Sequence, residues 1–182
     1  MALSAAVLAT ELGKIGLSDN ESDVLDGWED AWNVYFADAA ILSGPISNNG
    51  VAAYGLCTVA LKTALMGISV GGTEAQAAER IVTATEAFWD SIGTTPLIPT
   101  TLIWTTVPVL LGTLATKPGY MATPTTRAAF VSSLASTFVT NRTTSATASQ
   151  ALTSIANVID SYMGGATMLD TTPTTPIIYT VT

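Results

Sequence analysis

Residues 49–93 and 123–164 read as one helical hairpin written twice, 74 residues apart and without a gap. Asn49 falls on Thr123, the box Thr73-Glu74-Ala75-Gln76 on Thr147-Ala148-Ser149-Gln150, and the apolar stripe Ile81, Ala84, Phe88 on Ile155, Val158, Tyr162. Threonine followed three places later by glutamine is the spacing of a capping box, in which the hydroxyl takes a free amide of the first turn and the glutamine reaches back to the cap. Each copy therefore predicts a capped helix of about five turns, a break, and a second helix capped in the same way. A stripe with a 3.6-residue period is buried by laying helix on helix, so the duplication commits the chain to a mainly α fold.

The remaining segments fit around these two copies. Ala2 to Ile15 reads as a short helix closed by Gly16. Ser18 or Asn20 then opens a longer amphipathic helix, with Leu25, Trp28, Trp32, Tyr35 and Phe36 on one side and Asp26, Glu29, Asp30 and Asp38 on the other, ending near Ser43-Gly44-Pro45. The first hairpin runs from Asn49 to about Gly67, turns at Val70-Gly71-Gly72, and continues from Thr73 to Gly93. The connector, 94–122, is rich in Pro and Thr, with Val107 to Leu114 as a short helix broken at Pro108, and reads as an ordered crossover. The second hairpin opens with Thr123 and Pro124, reaches about Val139, turns at Asn141-Arg142-Thr143-Thr144, and continues in a last helix with the stripe Ala151, Ile155, Val158, Ile159 and Tyr162 that ends at Gly164-Gly165. In the tail, Ile177-Ile178-Tyr179-Thr180-Val181 has the composition of a strand. A strand without an evident partner in a helical chain is a candidate for pairing with another subunit. The expected architecture is a single helical domain, 1–170, built as a bundle of two related hairpins plus an N-terminal helix pair, followed by an extended arm or strand, 171–182.

Composition narrows the chemistry. The chain has no histidine, which removes the commonest general base and zinc ligand and every Ser-His or Cys-His relay. Its one cysteine, Cys57, allows neither an internal disulfide nor a multi-thiolate site and reads as a small buried hydrophobe. Six basic residues lie singly along a chain of net charge −8, so no basic stripe exists for phosphates and nucleic-acid binding is not expected. Only 11% of residues are charged while 48% are hydrophobic, which leaves an Ala-, Thr-, Ser- and Gly-rich surface suited to packing among subunits. Half of the acids crowd between Asp19 and Asp38 and form a negative face for a basic partner. The start, Met1 to Leu12, lacks the basic n-region of a signal peptide. The uncharged stretch from Ser91 to Ala115 is interrupted by Pro96, Pro99 and Pro108, so it does not read as a membrane span.

Three local patterns imitate functional sites. Asp19-Asn20-Glu21-Ser22-Asp23 with Asp30 resembles a calcium loop, but Val24 stands where the loop needs glycine. Glu86 and Asp90 lie one turn apart, yet nothing else converges on them and a solvated helix face is the simpler reading; Asp160, at the place of Glu86 in the second copy, suggests an outward polar position kept in both. Trp28 and Trp32 share the stripe with Leu25 and Tyr35, which favours core packing over a ligand platform. The sequons Asn20-Glu21-Ser22 and Asn141-Arg142-Thr143 have no force without a secretory signal. No cofactor, metal or small-molecule substrate is expected, and no enzymatic activity.

The last third, from Ala146-Thr147-Ala148-Ser149-Gln150-Ala151-Leu152 through Ile155 and Ile159-Asp160-Ser161-Tyr162-Met163 to Gly164-Gly165-Ala166-Thr167 and a Pro/Thr tail, resembles small Ala-rich virion structural proteins of tailed bacteriophages. The first hairpin matches more loosely. The resemblance implies a non-enzymatic component of head, neck or tail, assembled in the host cytoplasm, whose partners are other virion proteins or copies of itself; it carries no site residues. From the residues themselves, the expected contact regions are Asp26, Glu29 and Asp30 on the acidic face and Ile177, Ile178, Tyr179 and Val181 in the tail. The competing reading is a non-catalytic binding or adaptor module that uses the aromatic helix 25–36.

Overall fold

The computed structural model describes residues 3–16, 20–37, 40–41, 44–45, 50–66, 72–94, 112–170 and 177–180. The fold is mainly helical: α1 (Ala5–Leu12), α2 (Glu21–Ala37), α3 (Gly50–Met66), α4 (Glu74–Thr94), α5 (Pro124–Thr143) and α6 (Ala148–Met163). Gly50 and Pro124 open α3 and α5, and Glu74 and Ala148 open α4 and α6, so both pairs start 74 residues apart, as the repeat requires. Both capping boxes form. The Gln76 amide N–H donates to Thr73 Oγ1 at 3.3 Å and the Thr73 N–H to Gln76 Oε1 at 2.8 Å; at Thr147 and Gln150 the same bonds measure 3.3 and 2.9 Å. Thr123 caps α5 ahead of Pro124, and Asn20 Oδ1 accepts the Asp23 N–H at the head of α2.

Each helix packs on the next in the chain, and α6 returns to pack on α1, which closes the six helices into a ring. Because α2 also packs on α3 and α4 on α5, the contacts do not set the two repeats apart as separate hairpins. The centre of the ring is aromatic. Trp32, Tyr35 and Phe36 of α2 and Phe88 and Trp89 of α4 are all buried, with ring centroids 4.4 Å apart for Phe36–Phe88, 5.4 Å for Phe36–Trp89 and 6.0 Å for Trp32–Phe88. Leu8 and Leu12 of α1, Leu61 of α3, Leu134 of α5 and Ile159 of α6 complete the same core. A second aromatic group, Tyr120, Phe130 and Tyr162, closes the α5–α6 side, with Phe130 stacked on Tyr162 at 4.5 Å. Within α6 the fully buried residues are Ala156, Ile159 and Met163, whereas Ile155, Val158 and Tyr162 lie partly exposed beside them. Of the stripe expected in the second copy, Ala151, Ile155, Val158, Ile159 and Tyr162, Ile159 is fully buried and the other four are partly buried.

Strands are present as well as helices. β1 (Ala40–Ile41) and β2 (Gly44–Pro45) make a two-residue ladder just where α2 was expected to continue. β3 (Gly112–Thr116) lies in the connector, so the part of the expected Val107–Leu114 helix that falls among described residues is extended chain. β3 pairs with β4 (Thr167–Asp170), and β4 with β5 (Ile177–Thr180), in an antiparallel sheet of order β3-β4-β5. The tail strand, which had no visible partner in the sequence, therefore finds one in its own chain. Runs rich in β-branched residues, such as Ile177-Ile178-Tyr179-Thr180, suit a pleated ladder better than a helix.

The second inter-helix turn is also later than expected. α5 continues through Asn141 and Arg142, and the chain turns at Thr144-Ser145, with Ser145 at φ 51°. Asn141 is held in the helix by its partners on α6, accepting from Ser154 Oγ at 3.0 Å and donating to the Ala151 carbonyl at 3.4 Å. Turn-forming residue types lose to these tertiary bonds. Of the connector, residues 95–111 lie outside the described part, as do Asn49, the turn 67–71 and the side chain of Cys57 in α3.

Gly27 of α2 lies close against Ile15, in the segment that follows α1. A Cβ there would come within 2.6 Å of Ile15 Cγ1, close to the branch point of that side chain where little can give. Alanine ordinarily gains about 1 kcal/mol over glycine inside a helix. Here we expect the opposite sign: Gly27→Ala should lower the thermal midpoint of unfolding, and pairing it with Ile15→Ala should recover the helix-propensity gain.

Candidate functional site

The acidic residues expected to meet a partner are split by the fold. Asp26 and Glu29 turn to Lys62 of α3, Asp26 in direct hydrogen-bonded contact and Glu29 at 3.5 Å. The Asp26 hydrogen bond, opposed by desolvation and helped by the charges of Asp26 and Glu29, holds the Lys62 ammonium above its ordinary pKa. Asp30 stays exposed. Asp26 and Asp30, with Asp23, line a groove of about 640 Å³ together with Ile15, Ala31 and Val34. Glu11 on its α1 side is paired with Lys14 at 2.5 Å. The acidic face therefore contributes Asp23, Asp26 and Asp30 to a groove, while Asp26 and Glu29 also hold α3 on α2.

Glu86 and Asp90, the paired-carboxylate candidates, both form ion pairs, Glu86 with the second repeat and Asp90 with the end of the connector. Arg127 of α5 donates from Nε to Glu86 Oε1 at 2.7 Å, from a second nitrogen to Glu79 at 2.5 Å, and from Nη2 to Thr83 Oγ1 at 3.1 Å. Asp90 takes Lys117, and Arg142 meets Glu74 at 2.8 Å. The acids ascend α4 while their cations descend the chain, so α4 and α5 run antiparallel along this seam. The Glu86 hydrogen bond is the main reason that the Arg127 guanidinium is held above its ordinary value. Asp160, expected to point outward like Glu86, instead accepts the Tyr35 hydroxyl at 2.6 Å from across the ring. Burial, reinforced by that bond and the Asp160 charge, pushes the Tyr35 phenol well above its ordinary value.

The aromatic helix offers no open platform. Trp32, Tyr35 and Phe36 are buried and Trp28 packs half-buried against them. Among the described residues no group of three or more Asp, Glu or Cys side chains is arranged to hold a metal ion. Also among the described residues, no helix is long and apolar enough to cross a membrane. Most of the Ser91–Ala115 stretch lies outside them.

The tail residues Ile177, Ile178 and Tyr179 lie in β5, and Val181 falls just outside the described part. Among the described residues β5 is the outermost strand of its sheet. The two edges of that sheet differ in kind. At β3 the register slips by one residue between Leu114 and Thr116, the strand packs on α4, and Lys117 follows it and is tied to Asp90. β5 pairs with β4 in unbroken register and contains no charged residue. Bulges, lysines and covering helices are what keep sheet edges from pairing with other chains, and β5 has none of them among the described residues.

Sequence reasoning missed the Arg127 clamp and the Tyr35–Asp160 bond. Glu79 and Glu86 are seven residues apart on one face of α4, a visible signal for a single long cation, but which cation answers them depends on how α5 docks. No protein-family model, curated protein or solved structure matches this chain.

Proposed function

We propose that the chain is a structural subunit of a tailed-phage particle, in its head, neck or tail, and that it acts by packing against its neighbours without catalysis. The observation that carries this reading is the uncharged edge of β5, uncovered among the described residues and set beside a helical ring whose candidate catalytic carboxylates are taken up by ion pairs and whose aromatic rings fill its own centre. Backbone amides and carbonyls along such an edge are a docking surface for another strand. The resemblance of residues 146–182 to small virion proteins points the same way, since that segment comprises α6 and the β4–β5 ladder. The weakly charged surface favours ordered contact over free solvation, and the groove at Asp23, Asp26 and Asp30 suits a partner with basic side chains.

Two measurements test the reading. The chain should be detected by mass spectrometry in purified particles of the phage that encodes it, at a fixed copy number per particle. Deleting residues 171–182 should then cut its incorporation by more than tenfold while leaving the helical circular dichroism of the isolated chain in place. Absence from particles would remove the virion role; normal incorporation of the shortened chain would remove the tail as the means of attachment.

A further inference from the structure

We infer that β5 pairs with β5 of a second copy of this chain, joining two three-stranded sheets into one six-stranded antiparallel sheet across a twofold axis. The inference rests on the packing role proposed above and names the partner of its sheet edge.

Three features select a second copy as the occupant. First, β3 is bulged between Leu114 and Thr116, packed on α4 and followed by the tied Lys117, so among the described residues the β5 edge is the one left without a bulge, a covering helix or a charge. A contact that uses the same strand on both sides is isologous and closes at two subunits, whereas a head-to-tail contact would need the β3 edge as well. Second, antiparallel pairing of a strand with itself satisfies the twofold axis, and the unbroken register from Ile177 to Thr180 leaves the alternate backbone groups of β5 pointing outward in a regular row. Third, the chain carries a net charge of −8, so two copies repel unless they meet where charge is lacking. Residues 171–182 have no charged side chain, and Ile177-Ile178-Tyr179-Thr180 supplies β-branched and aromatic side chains whose cross-strand pairs favour a ladder.

Sedimentation equilibrium on the full chain tests this, with hydrogen–deuterium exchange read at several protein concentrations. The mass should rise from 18.7 kDa toward twice that value within a range up to roughly 1 mM. Alternate amides of β5 should become protected as it does. Ile178→Pro and Tyr179→Pro serve as a matched pair, because adjacent residues of a strand send their N–H groups to opposite sides. The variant whose missing amide faces outward should keep the wild-type thermal midpoint and raise the dimer dissociation constant at least tenfold; the other should lower the midpoint by breaking the β4–β5 ladder. A chain that remains monomeric to 1 mM, or a dimer indifferent to both prolines, overturns the self-pairing. A monomer that still enters particles only when residues 171–182 are present would overturn self-pairing while leaving the packing role standing, with a strand of another protein on the same edge.

Discussion

Truncating Phe88 to alanine is expected to lower the unfolding free energy by about 3–5 kcal/mol, toward the upper end of that range. Phe88 is fully buried and its ring lies 4.4 Å from Phe36, 5.8 Å from Trp89 and 6.0 Å from Trp32. α2 and α4 are not neighbours in the ring of helices, so what joins them through the centre is this group of rings. Helices that touch only through long side chains have no easy way to collapse into the space left by a missing one, because each is held by its neighbours on either side. The residual cavity therefore stays open and adds to the lost transfer free energy. For a chain of this size the loss corresponds to a fall of roughly 10 °C in the thermal midpoint. Val139, an exposed position on α5 at 40% of full accessibility, is the matching control, and Val139→Ala should change stability by less than about 0.5 kcal/mol. Urea unfolding followed by circular dichroism measures both. A Phe88→Ala loss below about 1.5 kcal/mol would mean that the ring centre is not packed as described.

The second large effect is alkaline. Tyr35 and Tyr120 are buried, and burial is the first cause holding both phenols far above their ordinary value of 10.0; the Asp160 hydrogen bond adds to it at Tyr35, and the charges of Glu86 and Asp90 at Tyr120. A group whose pKa is higher in the folded chain keeps its proton there while the unfolded chain releases it. The stability that it contributes is whole below pH 10 and is lost as the pH rises above it, because the unfolded state then binds fewer protons. Each tyrosine should steepen the loss by about 1.4 kcal/mol per pH unit, so the pair removes roughly 2.7 kcal/mol per unit above pH 10. Unfolding at fixed urea concentrations between pH 9 and 12, with tyrosinate absorbance recorded on the same samples, gives the slope and its origin together. Tyr35→Phe should halve it. At neutral pH that variant should also lose about 1–2 kcal/mol, since Asp160 is then left without its donor. Lys62 and Arg127 have the same sign, being raised by their acidic partners, but the stability they contribute begins to be lost only above their own higher ordinary values. A midpoint independent of pH up to 12, with both phenols titrating in the folded chain, would refute the burial of these two hydroxyls.

The segments of this chain whose structure could be read from residues alone are those governed by short-range rules. Thr73, Thr123 and Thr147 cap helices because a hydroxyl three residues from a free amide needs no distant partner. The Trp32, Tyr35, Phe36 stripe is buried because helical period and hydrophobicity together leave it no other face. The equal spacing of the helix starts follows from a repeated pattern of caps and breaks. What depends on a meeting of distant segments was not visible in this way. Glu86 and Asp90 look solvated on a helical projection and are taken by Arg127 and Lys117 because α5 and the strand before it happen to lie alongside. Asn141 has the chemistry of a turn and stays helical because Ser154 faces it. The strand at Ile177 was evident from its composition, but its neighbour within the chain was decided only when residues 112–116 and 167–170 came together beside it. Period and capping act within one or two turns of chain, whereas pairing and ion contacts are set by the closure of the helical ring, a geometry that no local window of residues contains.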